Sequence, residues 1–175
     1  MGVGRVKQDQ VNENVKEIVD CLNLSPLEGE GGMFRRTYEG TLNEKGQLIY
    51  SAIYYLLTEQ SFSHMHKLDT DEIYHYYMGD QLELLILYPD GTSEVKVLGT
   101  DLTKGEVPQF RVPAGCWQGS RIALGGVYSY SLVGTTMAPA YRDEEYVHGD
   151  CETLCKMYPH AADKIRERCG STKAL

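Results

Sequence analysis

Two histidines one residue apart, His64 and His66, are followed after a short gap by Glu72. Alternate side chains of a β-strand share a face. His64 and His66 are therefore expected to project together, with Glu72 facing them from the next strand after a turn at Leu68-Asp69-Thr70-Asp71. Imidazole nitrogen and carboxylate oxygen are ligands for zinc, iron, manganese or nickel, and the same trio can instead move protons on a bound substrate. Alternation from Glu72 sends Tyr74 and Tyr76 to the same face and turns His75 and Tyr77 to the other. His75 is accordingly read as a packing or dimer-interface residue.

The elements that must position these groups are mostly short strands. Runs rich in Ile, Tyr, Leu and Val predict strands at Met33 to Tyr38, Leu48 to Leu57, Phe62 to Lys67, Glu72 to Met78, Leu82 to Tyr88, Ser93 to Leu98, Gln109 to Val112, Cys116 to Arg121 and Tyr128 to Thr135. Tyr88-Pro89-Asp90-Gly91-Thr92 is the clearest hairpin turn among them. Strands at this rhythm indicate an antiparallel sandwich or barrel, expected over about 33–138. Before it, Val11, Val15, Ile18, Val19 and Leu22 recur at helical spacing and predict a helix over about 8–22. After it, a helical segment broken at Pro159 is expected over about 150–169.

Length and composition fit one compact domain over 1–175: the chain has 175 residues, 42% of them apolar. A formal charge of −8 argues against a general nucleic-acid surface. Five cysteines without a secretory segment fit a reducing compartment, and no stretch is apolar enough to span a membrane, so a cytoplasmic protein is expected. Cys151 and Cys155 share a helix face near His148 and His160, but they lack a Cys-x-x-Cys knuckle and are read as packing residues.

The run from His64 to Gly79 resembles the first signature of the cupin superfamily: His-x-His, a few residues, Glu, six residues, Gly. The gap between His66 and Glu72 holds five residues, one more than is usual. Pro113-Ala114-Gly115-Cys116-Trp117-Gln118 is similar to the second signature, Pro-x-Gly-x-x-His, with Gln118 where the last metal-binding His stands. With Glu30-Gly31-Gly32-Met33-Phe34-Arg35 and Ser51-Ala52-Ile53-Tyr54-Tyr55-Leu56-Leu57, the pattern resembles the cupin subfamily numbered five, a domain of unknown function. The resemblance implies an all-β antiparallel jelly-roll barrel with flanking N- and C-terminal helices, a homodimer, and likeness to deoxysugar-nucleotide epimerases.

On this reading the ligand is a small anion, a nucleotide or nucleotide-sugar. Phe34, Tyr54, Tyr74 and Tyr76 are expected to form aromatic walls, Arg35 to hold phosphate, and Gln118 to hydrogen-bond the ligand or Glu72. Only one of Arg35 and Arg36 should enter the barrel, since neighbours on a strand point to opposite faces. If there is epimerase- or isomerase-like chemistry, His66 is the expected base, with Glu72 and Tyr74 beside it. No cofactor is favoured, because an amide oxygen is a poor replacement for imidazole; a divalent metal, if bound, would use His64, His66, Glu72 and Gln118. Two other classes stay open: a metal-dependent oxygenase or isomerase using His64, His66 and Glu72, and a non-catalytic dimeric scaffold.

Overall fold

The computed structural model describes residues 3–170, with side chains from residue 13 onward. Among the described residues, eleven strands form two antiparallel sheets. In chain order they are β1 (Ser25–Pro26), β2 (Met33–Glu39), β3 (Ser51–Thr58), β4 (Ser63–Lys67), β5 (Glu72–Gly79), β6 (Leu82–Leu87), β7 (Ser93–Leu98), β8 (Gln109–Val112), β9 (Trp117–Ile122), β10 (Tyr130–Met137) and β11 (Val147–His148). The first sheet runs β1-β2-β3-β10-β5-β8 and the second β11-β4-β9-β6-β7. This is an all-β jelly roll. It is flanked by α1 (Val3–Leu22), α2 (Cys151–Met157) and α3 (Ala162–Arg166). No helix of the described residues is long and apolar enough to cross a membrane.

Period-two alternation decides where each strand residue goes. In β6, Leu82, Leu84 and Ile86 enter the core between the sheets with Tyr55, Leu57, Tyr74 and Val133. Leu85 and Leu87 point the other way, under the C-terminal helices with Met65, Leu154, Tyr158 and Ile165. Similarly, Leu56 and Leu132 leave the barrel to meet Val15, Ile18, Val19 and Leu22 of α1. The helices thus let antiparallel strands be apolar on both faces.

Several boundaries differ from the sequence reading. The first helix begins at Val3 and not near 8; Val11, one of the residues that predicted it, has its side chain outside the described residues. Leu48 forms an isolated bridge with Leu42, so β3 starts at Ser51. β10 starts at Tyr130 because the N–H groups of Val127, Tyr128 and Ser129 all donate to the buried Asp80 carboxylate. Pro159 does interrupt the C-terminal helix, opening a 3-10 turn between α2 and α3.

Two glycines have steric reasons. Gly79 ends β5 at φ +102°, where a Cβ would lie 2.3 Å from the Tyr130 carbonyl oxygen. Gly115 turns the chain before β9 at φ +79°, a conformation that costs glycine little.

The C-terminal segment is tied down by Arg168, whose side chain is fully buried. Its Nε donates to the Gly119 carbonyl (3.1 Å), Nη1 to the Lys164 carbonyl (3.0 Å), and Nη2 to the Glu83 carbonyl (3.2 Å). Glu83 and Glu167 carboxylates stand 3.4 and 3.3 Å away.

Candidate functional site

The space between the sheets opens at one end into a cavity of about 260 Å³, lined among others by Glu30, Phe34, Arg36, His66, Glu72 and Tyr146. Its floor comes from both sheets. Glu72 sits on β5, opposite Val112 and Met137 in the ladders. His66 and Gln118 are direct partners across β4 and β9. The Gln118 Nε2 donates to Glu72 Oε2 at 2.7 Å, joining the two sheets inside the barrel. Asp71 steadies the turn before Glu72 by accepting from the Ala114 N–H (2.8 Å) and Arg111 (2.9 Å). These same two contacts, the backbone one foremost, hold its carboxyl below the usual range.

The tautomer of a neutral His66 ring follows from its hydrogen bond. Its Nδ1 lies 2.8 Å from the His64 carbonyl oxygen, which can only accept. Nδ1 therefore carries the proton and Nε2 keeps a free lone pair. Glu72 is 7% exposed. Burial pushes its carboxyl upward, against the opposing influence of His66 and of hydrogen bonds from Thr135 and Gln118, while the Glu30 charge adds to the rise. The cavity thus pairs an open imidazole nitrogen with a carboxyl driven toward its neutral form.

A segment remote in sequence closes the site. The Tyr146 ring stacks on His66 with centroids 5.2 Å apart and planes 18° from parallel. Tyr141 also lines the cavity, its hydroxyl pushed up to about 12 by burial and then by Asp143 and Glu30. This segment is fixed by Glu145, 3% exposed, which accepts from Arg142 Nε at 2.7 Å and from the Thr70 hydroxyl at 2.9 Å.

His66, Glu72 and Gln118 come together as the strand pattern predicts, and Phe34 lines the same cavity. The remaining candidates fall elsewhere. The β4–β9 register shifts between Ser63 and His66, so strict alternation fails there. Ser63 bonds Glu30 at 2.8 Å, whereas His64 is drawn aside: its Nδ1 bonds the Met65 carbonyl, and its ring stacks on His148 at 3.9 Å. Arg35 and Tyr54 are cross-strand partners on the outer face. Arg35 lies 5.4 Å above the Tyr54 ring, and Tyr54 lines a shallow apolar groove against α1. Arg36, partner of Ile53, is the arginine at the cavity, bonded to Glu39 at 2.8 Å. Tyr74 is buried in the core, its hydroxyl held well above its ordinary range by burial. Tyr76 spends its hydroxyl on the Gly79 carbonyl at 2.6 Å. His75 faces outward and bonds Thr136 and Gln109.

Glu30, Tyr141, Asp143 and Tyr146 were not singled out as site residues from sequence. Glu30 stands in the glycine-rich block, where its acidity beside a tight turn was the available signal; the other three carry no local pattern.

The fit to a metal is poor. Among the described residues no three His, Cys, Asp or Glu side chains are grouped to hold an ion. His64 is turned away, its Nδ1 on the Met65 carbonyl and its ring stacked on His148.

Removing the Glu72 charge should stabilise the fold. A carboxyl whose folded value is raised loses stability as pH rises above its unfolded value, here 4.5. Glu72→Gln, which still accepts from Gln118, is therefore expected to raise Tm at pH 7, each 1 kcal/mol gained being worth about 2–4 °C in a chain of this size. Thermal melts from pH 4 to 8 should show the gain absent near pH 4 and growing upward; a gain independent of pH would contradict a charged origin.

A family model described as Cupin superfamily (DUF985) matches residues 16–148. Among solved structures, a Shewanella oneidensis protein is 32% identical at TM-score 0.81, covering 88% of this chain and 96% of that one. A hypothetical protein from Leishmania major is 27% identical at TM-score 0.80, covering 89% and 98%. A mutant of Bacillus subtilis oxalate decarboxylase shares the fold at 12% identity and TM-score 0.53, over 86% of this chain and 39% of that one. No curated protein matches the chain.

Proposed function

Because the chain belongs to the DUF985 family of the cupin superfamily, we propose that its barrel cavity binds a small polyhydroxylated ligand and transfers protons on it, as an epimerase or isomerase does. The observation that carries this reading is the open Nε2 of a His66 whose Nδ1 proton is fixed on the His64 carbonyl, in a cavity shared with the buried Glu72. Nε2 takes a proton from a ligand carbon made acidic by a neighbouring carbonyl; the Tyr141 hydroxyl, kept protonated, is a donor for the return step. Carboxylates of Glu28, Glu30 and Asp143 accept sugar hydroxyls, and Phe34 and Tyr146 cover apolar ring faces.

The volume suits a single sugar ring better than a whole nucleotide-sugar. For a nucleotide-sugar, the finer form of this proposal, the sugar enters and the phosphates stay outside, where Arg36 and not Arg35 is the cation at hand. The test is ligand-detected NMR in D₂O with keto- and aldo-sugars, free and as nucleoside diphosphate esters. Enzyme-dependent loss of one ligand C–H signal is expected; binding without exchange in any member would remove the catalytic part of the proposal.

A further inference from the structure

Resting on the reading of this cavity as the ligand site, we propose that it selects a ligand whose buried end carries a protonated amine, such as an amino sugar, and rejects one whose buried end is an anion. The first ground is charge. Beside Glu72, three carboxylates line the cavity, those of Glu28, Glu30 and Asp143, against the single guanidinium of Arg36, which is already paired with Glu39 at 2.8 Å. The second is hydrogen-bond polarity. His66, 1% exposed, lines the cavity and presents to it the lone pair of Nε2, its Nδ1 being bonded to the His64 carbonyl. Carboxylate oxygens only accept as well. The wall therefore shows a surplus of acceptors. A phosphate or carboxylate brings more acceptors and meets repulsion, whereas an ammonium brings three donors and a positive charge. The third ground is the aromatic wall of Phe34, Tyr141 and Tyr146, whose ring faces attract a cation.

Glu30 is the residue that sets this preference. It lines the cavity together with Glu72, Tyr141 and Tyr146, and its Oε1 is held by the Ser63 hydroxyl at 2.8 Å. Glutamine at this position keeps an acceptor for Ser63 and loses the charge.

Ethanolammonium, its uncharged isostere propan-1-ol and the anion 3-hydroxypropanoate separate charge from shape. In titration calorimetry at neutral pH with the full chain, ethanolammonium is expected to bind at least about tenfold tighter than propan-1-ol, a difference of about 1.4 kcal/mol, with no binding of the anion. Glu30→Gln should bring ethanolammonium down to the level of the alcohol, and Asp143→Asn, at an exposed position, should weaken it in the same direction. Equal binding of ethanolammonium and the alcohol, tighter binding of the anion, or no ethanolammonium binding at all would overturn the proposal. Glucosamine and glucose separate it from the sugar reading. Equal binding of the two keeps the sugar reading and overturns the amine preference; ethanolammonium binding with neither sugar supports the preference and removes the sugar.

Discussion

Replacing Arg168 with alanine should cost about 3–5 kcal/mol, the range for stripping one partner from a buried charge network, and so a large part of a stability that totals about 5–15 kcal/mol in proteins of this kind. The side chain has no exposed surface, and its loss would leave the Gly119, Lys164 and Glu83 carbonyls without this donor and the Glu83 carboxylate without this countercharge, while Glu167 keeps Arg121 at 3.2 Å. Arg168→Lys should recover little, because a single ammonium cannot reach three carbonyls that lie around a planar fork. Urea unfolding followed by circular dichroism measures both variants. A midpoint within error of the parent for Arg168→Ala would show that the C-terminal segment is not held by this side chain.

The largest functional effect is expected at His66. His66→Ala should slow proton exchange at the ligand carbon by about 10²- to 10⁴-fold, the usual contribution of a positioned acid or base, while ligand affinity falls far less. His66→Gln makes the comparison sharper, since it retains a side chain against Tyr146 but has no basic nitrogen. Exchange at the parent rate in both variants would remove His66 as the base.

The jelly roll is legible in the sequence because each strand obeys a local rule. Leu82, Leu84 and Ile86 alternate with residues facing the other way, and turns such as Asp90-Gly91 stand between runs of this kind. Glu72 and Gln118 are legible for the same reason. His64 is not, since the register shift between Ser63 and His66 arises from pairing with β9 and leaves no local mark in β4. The phase of β2 is similarly fixed by its neighbour. Phe34 and Arg36 share the inner face with Tyr55 and Ile53, so Phe34 and Arg35, adjacent in sequence, cannot both enter. Tyr141 and Tyr146 reach the site through a contact between Glu145 and Thr70, distant in the chain, and no periodicity announces it.

The position of β10 has a consequence for the order in which the molecule can assemble. This strand, near the end of the barrel sequence, lies at the centre of the first sheet, with β3 on one side and β5 on the other. Until it arrives, the β1-β2-β3 and β5-β8 halves have no hydrogen-bonded connection, and each shows an open edge to any other chain. Closure of that sheet joins residues far apart in sequence, which slows folding. During synthesis the emerging barrel therefore waits, with its apolar inner faces uncovered, for residues 130–137, and shielding by a chaperone matters most in that interval.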